Sequence, residues 1–177
     1  MPSGHAHDAI TILLAAPAAV GTYALTRDLP TSVIVAVAFI FAGVMFGPDL
    51  DTKSKQYSRW GPLRIIWIPY RTIFRHRSRW SHGLIFGTLF RVVYFLGIGT
   101  LIAFAAIAAY SFFTSSGVPN IGTFVRGWES IGAIAGTNST IDVLVTILVG
   151  MWAGAASHTL TDIAITYIKT GRVDALL

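Results

Sequence analysis

Between Asp8 and Arg27 the chain carries no charged side chain, and the same holds between Asp28 and Asp49. Each stretch is about the ~20 residues that an α-helix needs to cross a ~30 Å hydrocarbon layer. Arg27, Asp28 and Pro30 leave only a very short polar turn between them, which predicts an antiparallel hairpin. With 54% hydrophobic and 12% charged residues, a chain of 177 is too apolar for an ordinary soluble fold. The expected fold class is all-α: a polytopic membrane helix bundle of one embedded domain, residues 1–177.

Two further spans complete the bundle. Residues 83–113 form a long apolar region interrupted only by Arg91, and residues 142–167 form the last. Together with 9–26 and 30–47 they make four spans. The third is longer than the membrane is thick at ~1.5 Å per residue, so tilt, protrusion or a bend near Gly97 and Gly99 is expected. A Gly/Ser/Thr/Pro/Asn-rich loop follows it, with a short interfacial helix expected from Phe124 to Ala135. A cleavable leader competes for the first run, but no Lys or Arg precedes it, and His5, His7 and Asp8 sit where a basic region belongs.

The net charge of +5 could signal nucleic-acid binding, but its distribution points elsewhere. Eight of the thirteen basic residues lie in the single 48–82 connection, and Lys169 and Arg172 follow the last span. Only Arg27 and Arg126 fall in loops on the other face, so the positive-inside rule predicts both termini and the 48–82 loop in the cytosol. Membrane lipids are the expected partners, and no nucleic acid is expected. Residues 63–74 mix Trp67, Tyr70 and isoleucines with Arg64 and Arg71. They read as an interfacial piece kinked at Pro69.

The histidines were not needed for this topology, yet all five of them and most of the aspartates fall at the cytosolic end. His5, His7 and Asp8 open the first helix, Asp49 and Asp51 close the second, His76 and His82 precede the third, and His158 and Asp162 approach the same face within the fourth. His158 and Asp162 are i and i+4, hence on one helix face. After Pro48, the alternate carboxylates Asp49 and Asp51 can point the same way on an extended stretch. Without cysteine, any metal is held by nitrogen and oxygen. That donor set suits zinc, manganese, iron or nickel, zinc or manganese foremost. Singly, such a His is an ordinary helix-end residue, and a metal-free proton relay could use the same groups. An ionisable pair inside a span is nonetheless functional by default.

Beside these groups, the run from Arg75 to His82 carries Arg77 and Arg79. Lipid head groups account for ordinary basic residues here, Lys53, Lys55 and Arg59 among them. Guanidinium groups next to a metal can also hold phosphate oxygens in bidentate fashion.

Four motifs carry a resemblance: Ser3-Gly4-His5-Ala6-His7-Asp8, Gly47-Pro48-Asp49-Leu50-Asp51, His76-Arg77-Ser78-Arg79-Trp80-Ser81-His82-Gly83 and Ser157-His158-Thr159-Leu160-Thr161-Asp162. In this order the chain resembles a family of uncharacterised bacterial and cyanobacterial membrane proteins described as metal-binding. More loosely it is similar to inner-membrane metal-dependent hydrolases of the DNA-damage response, and distantly to zinc-dependent phospholipase C and nuclease proteins. The resemblance implies a hydrolase in a bacterial plasma (inner) membrane or a cyanobacterial membrane. With one helical His-x-x-x-Asp pair and five histidines, two divalent ions are more credible than three.

The expected function is therefore metal-dependent hydrolysis of a phosphoester, such as an anionic lipid head group, at the cytosolic membrane face. His5, His7, Asp8, Asp49, Asp51, His76, His82, His158 and Asp162 are the ligand candidates. Asp51 or Asp8 would serve as general base, and Arg77 or Arg79 would hold the non-reacting oxygens. The alternatives are a metal ion transporter, which needs a polar route to the far side, and a non-catalytic metal-binding membrane protein, whose coordination positions are all closed by protein.

Overall fold

The computed structural model describes residues 4–74, 76, 78–114 and 121–171. Every regular element among them is helical. Helix α1 runs from Gly4–Thr26 and α2 from Leu29–Val44. Arg27 stops α1 in the left-handed region (φ 56°) while its amide still reaches Tyr23 O at 2.8 Å. Asp28 then caps α2, accepting from the Thr31 amide at 2.8 Å, with Pro30 in the first turn. A left-handed stop followed at once by a cap reverses the chain, and the two helices pack as the expected hairpin. Close approach needs Gly43, where a Cβ would overlap the side chain of buried Thr11.

Two compact units partition the chain: residues 1–91 with 145–177, and residues 92–144. In the first, α8 (Asn138–Thr170) packs on α2 through Gly150 and Gly154. A Cβ on Gly150 would lie 2.8 Å from Val35 O, and one on Gly154 would overlap Phe39 O. This is the small-xxx-small spacing that lets apolar helices touch backbone to backbone.

The connection after α2 is built from short elements. They are a 3-10 turn at Pro48–Asp51, α3 at Lys55–Arg59, a 3-10 helix at Gly61–Trp67, α4 at Ile68–Ile73 and α5 at Arg79–His82. Asp49 and Asp51 thus stand on a 3-10 turn rather than the expected extended stretch. The 63–74 segment divides just before Pro69, which sits in the first turn of α4 where a missing N–H costs nothing. Trp67 and Tyr70 are fully buried and meet edge to face at 5.7 Å, with Trp60 5.2 Å and Phe46 5.3 Å from Trp67. Leu63, Ile65, Ile68 and Ile73 are exposed.

Helix α6, Phe86–Phe113, is continuous through Gly97 and Gly99, with residues 83–85 outside it. The second unit holds most of α6 and α7 (Ile121–Ala135), which starts three residues before the expected interfacial helix. Phe124 of α7 meets Phe104 of α6 at 5.1 Å. Four helices are long and apolar enough to cross a membrane, Gly4–Thr26, Leu29–Asp51, Phe86–Phe113 and Ser139–Thr170, one over each span read from the sequence.

Candidate metal centre

Within the first unit, α1 and α8 bring together one ligand group. His7, His158 and Asp162 are all buried, and each offers a ligand atom within 4.8 Å of the others. His7 Nε2 lies 3.2 Å from Asp162 Oδ1, and His158 Nε2 lies 3.8 Å from Asp162 Oδ2 across one helical turn. The two imidazoles stack, with centroids 3.9 Å apart and planes at 14°.

A second group, Asp49, His76 and His82, meets the same 4.8 Å criterion. Asp49 is fixed through its backbone: its amide donates to Gln56 Oε1 at 3.1 Å, and its carbonyl accepts from Ser54 Oγ at 2.8 Å. His82 stands between two carboxylates, with Nε2 3.4 Å from Asp49 Oδ1 and Nδ1 3.4 Å from Asp51 Oδ2. His76 Nδ1 donates to Asp51 Oδ1 at 2.8 Å. Asp51 therefore backs both histidines, the position from which a carboxylate orients a ligating imidazole. Burial opposes the charge on His82, but the flanking carboxylates of Asp49 and Asp51 outweigh that and hold its pKa above the usual value.

Asp49 joins the groups, since its other oxygen, Oδ2, lies 3.4 Å from His158 Nε2. Three carboxylates, Asp49, Asp51 and Asp162, share this space, and removing such charge from water costs several kcal/mol per ion unless cations answer it. Five atoms of the cluster, His7 Nδ1, Asp51 Oδ2, His82 Nε2, His158 Nε2 and Asp162 Oδ1, are buried with no hydrogen-bond partner. The last four each face an opposing nitrogen or oxygen at 3.2–3.4 Å. Ligand atoms held ~2.0–2.2 Å from a tetrahedral ion stand about 3.4 Å apart, so the donor set fits divalent ions.

Not every candidate joins this cluster. Asp8 is gripped by Arg59, with Nη1 to Oδ1 at 2.8 Å and Nη2 to Oδ2, and is approached by Lys55 Nζ at 3.3 Å. His5 is exposed, its Nδ1 2.7 Å from Lys55 Nζ. Arg77 and the side chain of Arg79 lie outside the described residues. Lys55 and Arg59, read from sequence as lipid-facing charge, are instead partners of Asp8.

Sequence reasoning missed two supporting residues. Gln56, buried on α3, donates to Gly43 O at 2.7 Å, accepts from Asp49, and places its amide 3.4 Å from His158 Nδ1. It fits only because residue 47 is glycine, where a Cβ would overlap the Gln56 amide. Arg91, buried on α6, donates to Ser81 O at 2.7 Å and Thr88 Oγ1 at 3.1 Å, which anchors the turn carrying His82. A lone Arg in an apolar span was the available signal. Gln56 had none, being a neutral residue in a basic loop.

A cavity of about 390 Å³ adjoins the cluster, with Asp49 and His158 in its wall and His5, Asp8, Lys55 and Gln56 around it.

Residues 2–172 match the model of a family described as uncharacterized metal-binding protein (DUF2227), and the chain belongs to that family. No curated protein and no solved structure matches the chain.

Proposed function

We propose, from membership of a metal-binding family and from Asp49 standing between two ligand groups, that the chain is a membrane-embedded metal-dependent hydrolase. Its substrate is a phosphoester, such as a lipid head group. The four apolar helices would cross the bilayer, and the basic 48–82 connection would keep both termini and the centre on the cytosolic side. One ion per group, zinc or manganese by the imidazole and carboxylate donors, accounts for both clusters.

When bound, such ions lower the pKa of water and polarise a phosphoryl oxygen. The protein's own groups set the geometry. Asp49 spans the two groups through its two oxygens. Asp51 orients His76 and His82 through its two oxygens, and as the carboxylate outside both ligand groups it is the general-base candidate. Asp8, with both oxygens engaged by Arg59, is the poorer base.

The cavity along Asp49 and His158 carries this reading, because a structural metal site is closed by its ligands whereas a catalytic one keeps room for water or substrate. Purified protein loaded with Zn²⁺ or Mn²⁺ should hydrolyse members of a panel of phosphomonoesters, phosphodiesters and phospholipids. Asp49→Asn should abolish that turnover. Protein holding two equivalents of metal yet inert across the panel would sink the proposal.

A further inference from the structure

The cavity that Asp49 and His158 line also has Lys55 and Asp8 in its wall. Lys55 stands there, about two-fifths exposed, against a carboxylate that another cation already occupies. Asp8 gives both oxygens to the Arg59 fork, and Lys55 reaches only Asp8 Oδ2, at 3.3 Å. Two cations on one carboxylate leave one positive charge unbalanced beside the cavity. The Lys55 stem lies across Gly4, where a Cβ would stand 3.1 Å from the Lys55 Cδ, so the first turn of α1 is cut away for it. His5 stands beside it, its Nδ1 accepting from Lys55 Nζ at 2.7 Å, which leaves the ring N–H on Nε2, 3.1 Å from the same Nζ, as a second donor. Around one space, then, stand two metal-ligand candidates, a flexible ammonium and an exposed imidazole. Its volume of about 390 Å³ falls in the ~300–1,000 Å³ range of small-molecule sites.

We infer that Lys55 and His5 form an oxyanion subsite that holds the non-reacting oxygens of a phosphate group seated against Asp49 and His158. It rests on the phosphoester reading for the identity of the oxyanion. An ammonium on a four-carbon stem is suited to it, since three rotatable donors can follow a phosphate of variable pose. The phosphate is either free or the head group of a lipid, and the chemistry of recognition is the same.

Detergent-solubilised full-length protein loaded with Mn²⁺ provides the test, because a phosphate beside the ions has its ³¹P relaxation enhanced. Inorganic phosphate and short-chain phosphatidic acid are titrated separately against wild type, Lys55→Gln, Lys55→Arg and His5→Gln, with Mn²⁺ content measured in each. The expected result is enhanced relaxation in wild type, about tenfold weaker binding in Lys55→Gln, weaker binding in His5→Gln and near-recovery in Lys55→Arg, all at unchanged Mn²⁺ content. A response to phosphatidic acid alone assigns the subsite to a head group, and a response to inorganic phosphate assigns it to the free ion. No enhancement in wild type with either probe, or equal affinity in wild type and Lys55→Gln, overturns the inference. So does Mn²⁺ loss in both Lys55→Gln and Lys55→Arg, which would make Lys55 a support of the metal centre. Turnover is assayed apart from binding. A protein that hydrolyses phosphoesters with a phosphate affinity indifferent to Lys55 keeps the hydrolase reading and loses this one, and the converse separates them the other way.

Discussion

His7 and His158, from opposite ends of the chain, stack their imidazoles at 3.9 Å, and His158 alone of the two also faces Asp49 Oδ2, at 3.4 Å. The ligand set is therefore unequal. Loss of His158 removes a donor from one group, whereas loss of Asp49 removes the carboxylate that addresses both. Elemental analysis should find about two equivalents of metal in wild type, about one in His158→Ala and well under one in Asp49→Ala. Equal loss in the two variants would contradict a bridging Asp49.

The state of His82 sets a pH dependence. Its folded-state pKa stands above the usual 6.5, because burial opposes its charge but the flanking carboxylates of Asp49 and Asp51 outweigh that burial. In metal-free protein the charged ring thus contributes stability that is complete below the unfolded pKa and is lost as pH rises through the raised folded value. Thermal unfolding of stripped protein should show that decline on the alkaline side, and His82→Asn should flatten it. Metal needs the neutral ring, so ion binding below the raised value should release a proton, measurable by calorimetry in buffers of different ionisation enthalpy. Binding that takes up protons there would have the wrong sign.

The helix contacts make opposite predictions for two glycines. Gly154 lies where a Cβ would meet the Phe39 carbonyl, and one turn later the same helix carries His158. Gly154→Ala should cost about 3 kcal/mol and lower metal content, since α8 must move away from α2. Gly97, inside α6, would place its Cβ with nothing within 4 Å. Gly97→Ala should leave metal content alone and stabilise by about 0.5–1 kcal/mol. Unfolding midpoints in one detergent compare the two directly.

Convergence of His7, Asp49, Asp51, His76, His82, His158 and Asp162 was legible in the sequence because charge-free runs of span length fix which ends of the helices share a face. Ligand-type residues at those ends are then neighbours whatever the packing. Pairing within the face was not legible. Asp8 is one residue from His7, yet on a helix that separation turns it about 100° away, toward Arg59 instead of the cluster. Arg59 and Lys55 were indistinguishable from lipid-facing charge, since the positive-inside rule predicts their number but not their partners. The 3-10 turn at Pro48–Asp51 escaped notice because alternate carboxylates suggest a strand, whereas here they reach opposite nitrogens of one imidazole.

Asp8 separates the two accounts of its role most sharply. As a ligand, its loss would release metal. As the anchor of Arg59 and Lys55, its loss would leave metal in place and leave two cations without their carboxylate, at about 1–3 kcal/mol for a pair whose acid is less than one-fifth exposed. The geometry supports the second outcome: two equivalents of metal retained in Asp8→Asn, with a lowered unfolding midpoint. Arg59→Met should show a loss of similar size, and the double variant should lose little more than either alone, because both changes remove one interaction. Asp8→Asn should also tighten phosphate binding, since Lys55 and Arg59 no longer share their charge with a carboxylate. Metal loss in Asp8→Asn with its fold intact would return Asp8 to the ligand set.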